Sequence, residues 1–269
     1  MSRIEKTFSD LRGAGRRALV PFVTAGDPEP SVTVPLMHAL VAAGANVLEL
    51  GVPFSDPMAD GPVIQRASER ALAQGMTLKR VLAMVAEFRR DDGDTPVVLM
   101  GYLNPFEVAG YEKFAIAAAE VGVDGVLTVD LPPEEAEAFR GALRERDIDL
   151  IFLLAPNSDD ARIARICAQA SGFVYYVSLK GVTGAAHLDV ADVETHVQRI
   201  KAATDLPVGV GFGIRDGESA ARVAAVSDAV VVGSALINKM EAFMETPSRI
   251  PEEVAAVISS MRTAMDANP

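Results

Sequence analysis

Short runs of apolar residues recur along the chain, and they are rich in the β-branched residues that favour strands. Eight such runs are present, and within each of them hydrophobic residues are nearly continuous and do not alternate with polar ones. This pattern is typical of strands that are buried on both faces of a parallel sheet. The predicted strands cover residues 18–25, 46–52, 96–102, 125–131, 149–155, 172–178, 206–213 and 228–234.

Segments with the periodicity of helices lie between these runs; many begin with Ser, Asp or Pro, and several end on Gly. The predicted strands begin about 30 residues apart, which is the size of one strand followed by a crossover helix. Eight such units account for most of the 269 residues. We therefore predict an α/β fold, a (β/α)₈ TIM barrel that forms a single domain over residues 1–269. The clearest helical segments cover residues 31–44, 111–122, 132–147, 158–171 and 217–227.

An open, doubly wound sheet is the alternative architecture, because strand order is not directly readable from a sequence. Residues 1–13 are predicted to form an N-terminal capping helix over one mouth of the barrel. Residues 251–265 are predicted to form a terminal amphipathic helix. The sequence has no linker or low-complexity stretch that would mark a second domain.

The balance of charged residues narrows the classes of function. Lys and Arg number 25 and Asp and Glu number 37, so the formal net charge is −12, which argues against a nucleic-acid partner. The single cysteine, Cys167, cannot form an internal disulfide, and three scattered histidines make no zinc-type cluster. No apolar run approaches the roughly 18 residues that a membrane helix needs. We expect no membrane partner, a reducing compartment and a cytoplasmic location.

In a TIM barrel the chemistry lies on the loops that follow the carboxyl ends of the strands. After the second predicted strand the sequence reads ELGVPFSDPMADGP (49–62), with Glu49 inside an apolar run and Asp60 in a loop rich in Pro and Gly. Burial would raise the pKa of Glu49 toward the range useful for proton transfer, which makes it a candidate general acid or base. The alternatives are a buried ion pair for Glu49, and a turn or helix cap for Asp60.

Glycine-rich segments follow the last three predicted strands. Loops after the seventh and eighth strands of this fold often bind a phosphate through backbone N–H groups and a helix N-terminus, which requires no lysine. We therefore expect a ligand that resembles a sugar phosphate; the alternative is that the glycines only form tight turns. The segment GVGFG (209–213) lacks the spacing of a dinucleotide-binding fingerprint.

Residues 179–188 have the composition of a mobile cover, with glycines, small residues and the Thr183 hydroxyl. On the strand before this segment, alternation places one of Tyr175 and Tyr176 in the barrel interior and the other against the helices.

Six segments together resemble the tryptophan synthase α-subunit family, and the likeness extends over nearly the whole length. They are PFVTAGDP (21–28), ELGVPFSDPMADGP (49–62), GYLNPF (101–106), VDLPPEE (129–135), SLKGVTG (178–184) and GVGFGI (209–214). The second of these separates the family from related phosphate-binding barrels. The resemblance implies a lyase that performs the retro-aldol cleavage of indole-3-glycerol phosphate to indole and glyceraldehyde 3-phosphate in tryptophan biosynthesis.

The resemblance also assigns roles to individual residues. Glu49 matches the acid/base that protonates indole C3 and then accepts the proton of the side-chain hydroxyl. Asp60 matches the carboxylate that accepts a hydrogen bond from the indole N–H, and Tyr175 and Thr183 match pocket and closing-loop positions. The remaining assignments are an apolar slot for the indole, formed by Phe22, Met100, Leu127 and Phe212, and a phosphate cradle, formed by Gly184, Gly213, Gly233 and Ser234.

The resemblance implies no metal or organic cofactor in this chain. In the family, pyridoxal phosphate belongs to the β subunit, which receives the indole through a tunnel, and two α and two β chains form a heterotetramer. Residues 53–60 and 103–106 match the surfaces that meet this partner. One departure from the family pattern is Leu179, which stands where many relatives carry a basic residue.

Two other functions are compatible with such a barrel. A regulatory subunit without catalytic activity would keep the fold and the partner surface, but the presence of both Glu49 and Asp60 argues against it. A phosphate-sugar isomerase or epimerase would not turn over indole-3-glycerol phosphate.

Overall fold

Eight parallel strands close into a barrel in the computed structural model, which describes residues 1–177, 190–211 and 213–267. The strands pair in chain order, and the last pairs with the first. Each strand lies within one of the eight predicted runs, so the predicted barrel is confirmed and the open sheet is wrong. The strands are β1 Ala18–Thr24, β2 Leu48–Gly51, β3 Val97–Gly101, β4 Gly125–Thr128, β5 Asp149–Leu154, β6 Val174–Val177, β7 Val208–Gly211 and β8 Ala229–Val232.

Helices surround this barrel. None of the helices in the described ranges is both long enough and apolar enough to span a membrane. In chain order they are α1 Arg3–Gly13, α2 Pro30–Ala42, α3 Pro62–Ala73, α4 Leu78–Phe88, α5 Leu103–Ala109, α6 Tyr111–Val121, α7 Glu137–Arg144, α8 Asp160–Cys167, α9 Val190–Lys201, α10 Gly217–Ala224, α11 Ser234–Glu241 and α12 Ile250–Asp266.

Local sequence explains where several helices begin. The side chain of Asp159 accepts a hydrogen bond from the N–H of Arg162 at the start of α8, and Asp216 forms a capping box with Ser219 at the start of α10. The segment predicted as one helix over 132–147 is shorter, because a 3₁₀ turn over Pro133–Glu135 precedes α7. Pro132 is extended, as expected for a residue that is followed by a proline.

The strand side chains that point inward form an apolar cluster with α1. Ile4 of α1 reaches Gly125 at the start of β4, and Phe8 packs against Phe173 with ring centroids 5.7 Å apart. These contacts are at the amino ends of the strands, so α1 closes the N-terminal mouth and the predicted capping helix is confirmed. The members of the cluster that lie on the strands or directly before them are Ala18, Val20, Val47, Val98, Leu127, Ile151, Phe173, Ala229 and Val231.

Ion pairs fasten this capped mouth. The buried carboxylate of Asp124 accepts hydrogen bonds from Arg3 at 2.8 Å, from Arg89 at 2.6 Å and from the N–H of Val97 at 2.8 Å. These contacts connect α1, the end of α4 and the start of β3. Asp149, at the start of β5, accepts a further hydrogen bond from Ser2 at 3.1 Å. The open mouth at the carboxyl ends of the strands is where the candidate site lies.

Candidate active site

Glu49 lies in the middle of β2 and points into the barrel. Its register partners are Phe22 on β1 and Val98 on β3, and Val98 belongs to the inward cluster. The neighbours Leu48 and Leu50 point the other way, into the core between strands and helices. Glu49 is 1% exposed, although it is a residue type that is almost never fully buried without a partner.

The carboxyl group of Glu49 is unpaired within the part of the chain that the structure describes. Neither oxygen forms a hydrogen bond with any described residue, and no described Lys or Arg pairs with it. Burial penalises the charged form and raises the pKa of Glu49 from 4.5 to about 8. The buried ion pair considered for this residue is therefore not formed within the described ranges, and the carboxyl group is suited to donate a proton near neutral pH.

Alternation predicts that one tyrosine of the pair on β6 points inward, and in the structure this residue is Tyr175. Its phenol is buried, and burial together with the nearby Glu49 carboxylate raises the pKa of Tyr175 well above its ordinary value. Tyr176 points outward and stacks on His196 of α9 with ring centroids 5.3 Å apart. Tyr175 therefore borders the space around Glu49.

Gly211 on β7 makes room for Tyr175. A Cβ atom at Gly211 would lie 2.1 Å from the Tyr175 hydroxyl oxygen, which is far inside van der Waals contact. The sequence analysis does not identify this requirement for glycine at position 211. The glycine-rich run 209–213 is the sequence signal for it, but that run alone predicts only a phosphate-binding loop.

Asp60 lies in the loop between β2 and α3 and is half-buried. Burial raises the pKa of Asp60, and a hydrogen bond with the Tyr102 side chain acts in the opposite direction. The helix-cap alternative is wrong, because the N-cap residue of α3 is Gly61 and no side chain caps this helix. The loop is held by the Tyr102 hydroxyl, which accepts a hydrogen bond from the N–H of Ala59 at 3.0 Å.

A cleft opens beside Asp60. Phe22 and Met100, two residues of the predicted indole slot, line it, and Leu127 is the register partner of Met100 on β4. A Cβ atom at Gly51 would lie 2.7 Å from the Phe22 ring, so the absence of a side chain at Gly51 lets the ring lie across β2. The other described residues that line the cleft are Thr24, Val52, Phe54, Ile64, Ser68, Gly101, Tyr102 and Val129.

The ends of β7 and β8 form a corner rich in glycine. Gly213 has a φ of 75°, a conformation that favours glycine, and Gly233 is the N-cap residue of α11, which begins at Ser234. The first N–H groups of a helix have no partner within the helix and carry positive partial charge, so they attract an anion. Because β8 pairs with β1 and β1 pairs with β2, β8 is two interstrand spacings, about 10 Å, around the barrel from the strand that carries Glu49.

A network of ion pairs joins the helix after Asp60 to the helix that begins in the glycine corner. Arg70 of α3 contacts the buried Asp27 at 2.6 and 3.0 Å and Glu241 of α11 at 2.8 Å. Arg66, one turn earlier in α3, donates two hydrogen bonds of 3.0 Å to Glu241. The network fixes α3 relative to α11, and it was not predicted because its members are far apart in sequence.

Similarity to known proteins decides the family. A protein-family model described as Tryptophan synthase alpha chain matches residues 8–266.

The chain belongs to the tryptophan synthase alpha chain family.

The chain is 64% identical over 267 residues to the tryptophan synthase alpha chain of Nitrosococcus oceani, with 99% of this chain and 98% of that protein covered. It is also 64% identical over 266 residues to the alpha chain of Thioalkalivibrio sulfidiphilus, with 99% and 100% covered. Among solved structures, it superposes on tryptophan synthase subunit alpha from Legionella pneumophila with a TM-score of 0.93, 47% identity and 99% of each chain covered.

The predicted site residues of this family can now be located. Glu49, Tyr175, Phe22, Met100 and Leu127 point into the barrel or line its cleft, with Asp60 on the loop above. Gly213, Gly233 and Ser234 form the corner at the ends of β7 and β8. Three predicted residues lie outside the described residues: Thr183, Gly184 and Phe212.

No cluster of three or more His, Cys, Asp or Glu side chains that could hold a metal ion is present among residues 1–177, 190–211 and 213–267. Sequence reasoning also missed Tyr102, which holds the Asp60 loop. The segment 101–106 contained it, but nothing in the sequence indicated that its hydroxyl reaches the residue before Asp60.

Proposed function

We propose that the chain catalyses the retro-aldol cleavage of indole-3-glycerol phosphate to indole and glyceraldehyde 3-phosphate, with Glu49 as the acid/base. The reaction is the lyase step by which the tryptophan synthase alpha chain family contributes to tryptophan biosynthesis. The observation that supports the role of Glu49 is its buried carboxyl group, which has no partner among the described residues and points into the barrel from the strand beside Phe22.

In the first step Glu49 acts as an acid. Its raised pKa keeps the carboxyl protonated near neutral pH, so it can transfer the proton to C3 of the indole ring. The electron pair of the C2–C3 double bond forms the new C–H bond, and the ring nitrogen becomes positively charged. Asp60 accepts a hydrogen bond from this N–H and stabilises the charged state more than the neutral substrate.

In the second step Glu49 acts as a base. Its carboxylate takes the proton of the hydroxyl group on the carbon bonded to C3, and the O–H electron pair forms the aldehyde carbonyl. The carbon–carbon bond breaks, and its electrons restore the C2–C3 double bond and neutralise the ring nitrogen. Glu49 ends protonated, as it began, so one carboxyl group completes the cycle without a second proton donor.

Binding is divided between the two ends of the substrate. Phe22, Met100 and Leu127 offer apolar surface to the indole ring, and Gly213, Gly233 and Ser234 offer backbone N–H groups and the N-terminus of α11 to the phosphate. Thr183, Gly184 and Phe212 are proposed to complete these sites on family grounds. The two steps require no metal or organic cofactor in this chain.

We further propose that the chain works as the alpha chain of a tryptophan synthase heterotetramer with two β subunits, in the cytoplasm, and that pyridoxal phosphate is held by the β subunit. Two side chains near the predicted partner surface are strongly exposed: Met58, within residues 53–60, is 83% exposed, and Val108, just after residues 103–106, is 81% exposed. Met58 on its loop and Val108 on α5 are proposed to contact the β subunit.

The test of the function is the release of indole from indole-3-glycerol phosphate by the purified chain. We expect the purified chain to release indole. Addition of a β subunit should increase the rate of release if the heterotetramer forms. A folded wild-type chain that releases no indole, alone or with the β subunit, would instead indicate a regulatory subunit without catalytic activity.

A further inference from the structure

The hydroxyl group of Thr24 is unexplained by the reaction described so far. Thr24 is the last residue of β1 and is 2% exposed, and its Oγ1 atom has no hydrogen-bond partner among the described residues. Buried hydroxyl groups without partners are uncommon, because each loses its hydrogen bonds to water without replacement. Thr24 belongs to the segment 21–28, in which only Phe22 has a proposed role.

The position of Thr24 brings it to the open mouth of the barrel. It has the same parity on β1 as the inward residues Val20 and Phe22, and it is two residues nearer the mouth than Phe22. Its register partner on β2 is Gly51, which has no side chain and leads into the loop that carries Asp60. Thr24 and Asp60 line the same cleft.

We propose that Thr24 is a positioning residue whose hydroxyl donates a hydrogen bond to the Asp60 carboxylate when substrate is bound, and so holds that carboxylate against the indole N–H. This inference rests on the proposed function. Among the described residues that line the cleft, Asp60 alone carries a carboxylate, which is the strongest acceptor available to a hydroxyl. The Tyr102 hydroxyl approaches Asp60 from β3, and Thr24 would approach it from β1.

Thr24→Val tests the proposal, because valine has nearly the shape of threonine and lacks the hydroxyl. The hydroxyl has no hydrogen-bond partner among the described residues, so we expect T24V to fold with at least wild-type stability. With indole-3-glycerol phosphate we expect kcat to fall about tenfold to a hundredfold, a loss typical of a displaced catalytic group, with a smaller change in KM. Thr24→Ser keeps the hydroxyl and should stay within a few-fold of wild type. A wild-type kcat in T24V would overturn the proposal.

Thr128→Val is the matched control. Thr128 ends β4, is 3% exposed and also has an Oγ1 atom without a partner, but it has the parity of Val126, which packs on the helix side of the barrel. We expect T128V to keep wild-type kcat. If T128V loses as much activity as T24V, the effect belongs to any buried hydroxyl and not to the contact with Asp60.

A double-mutant cycle identifies the partner. If Thr24 acts through Asp60, adding T24V to Asp60→Asn should lower kcat by less than it does in the wild-type background. Fully additive losses would overturn the proposal. A wild-type chain that releases no indole would overturn the proposed function and this inference together, whereas an active wild type with an equally active T24V overturns only the inference.

Discussion

The two mouths of the barrel treat buried carboxyl groups in opposite ways. At the capped mouth Asp124 is 5% exposed and is held by two arginines and a backbone N–H. At the open mouth Glu49 is 1% exposed and has no partner among the described residues. The first arrangement stabilises a charged carboxylate, and the second favours a neutral carboxyl group that can give up its proton.

The difference shows how this fold separates stability from chemistry. In TIM barrels the loops after the carboxyl ends of the strands carry catalysis, while the other mouth contributes to stability. A polar group without a partner in the core weakens a fold, so it is expected where function requires it. The contrast predicts that substitutions at the two mouths will affect different measured quantities.

The largest effect is expected for Glu49→Gln. The amide keeps the size of the side chain but neither donates nor accepts the catalytic proton, so we expect kcat to fall by about two to four orders of magnitude. Indole release under single-turnover conditions measures the loss, and circular dichroism confirms that the variant is folded. Turnover close to wild type would reject the acid/base role.

Arg89→Gln is the counterpart at the capped mouth. The substitution leaves the buried carboxylate of Asp124 with one arginine fewer, and we expect the free energy of unfolding to fall by about 3–5 kcal/mol. Urea denaturation measures this change. For the folded variant kcat/KM should stay within a factor of about two of wild type, since Arg89 is not near the reacting atoms. A parallel loss of kcat/KM would show that the two mouths are not independent.

The pH dependence of stability provides a third comparison. The pKa of Glu49 is about 8 in the folded chain against an ordinary value of 4.5, so the folded chain binds more protons than the unfolded chain between these values. The stability contributed by the neutral carboxyl is present at low pH and is lost as pH rises through this window. Glu49→Gln lacks the titrating group, so its unfolding free energy relative to wild type should rise with pH, by at most about 1.4 kcal/mol per pH unit. A difference that does not change with pH would contradict the raised pKa.

The smallest of these effects is expected for Asp60→Asn. The amide oxygen can still accept a hydrogen bond from the indole N–H, but it offers no negative charge to the charged ring, so we expect kcat to fall about tenfold to a hundredfold. The KM for the substrate should change less than kcat, because the interaction strengthens in the transition state. A wild-type kcat would refute the electrostatic role of Asp60.

The sequence predicts those elements whose burial produces an uninterrupted run of apolar residues. Strands buried on both faces appear as apolar runs, so all eight strands could be predicted, and Glu49 was visible as the one carboxylate within β2. The sequence does not show whether the Glu49 side chain points into the barrel or toward the helices, because this direction depends on the register of the strands in the closed barrel. Alternation did separate Tyr175 from Tyr176 once an inward side was assumed.

Contacts between segments that are distant in the chain could not be predicted from the sequence. The close approach of Tyr175 to Gly211 depends on the pairing of β6 with β7, and the network of Arg70 with Asp27 and Glu241 depends on how α3 packs against α11. No local pattern encodes these pairs. The single-domain organisation over residues 1–269 and the roles of Thr183, Gly184 and Phe212 remain predictions.

The proposed acid role of Glu49 requires a carboxyl group that is neutral near pH 7 in the folded chain. The direct measurement is a ¹³C NMR titration of the glutamate side-chain carboxyl carbons, with Glu49→Gln used to assign the signal of Glu49. We predict that this signal titrates near pH 8 while exposed glutamates titrate at about 4.3. A Glu49 signal that titrates together with the exposed glutamates would contradict the account.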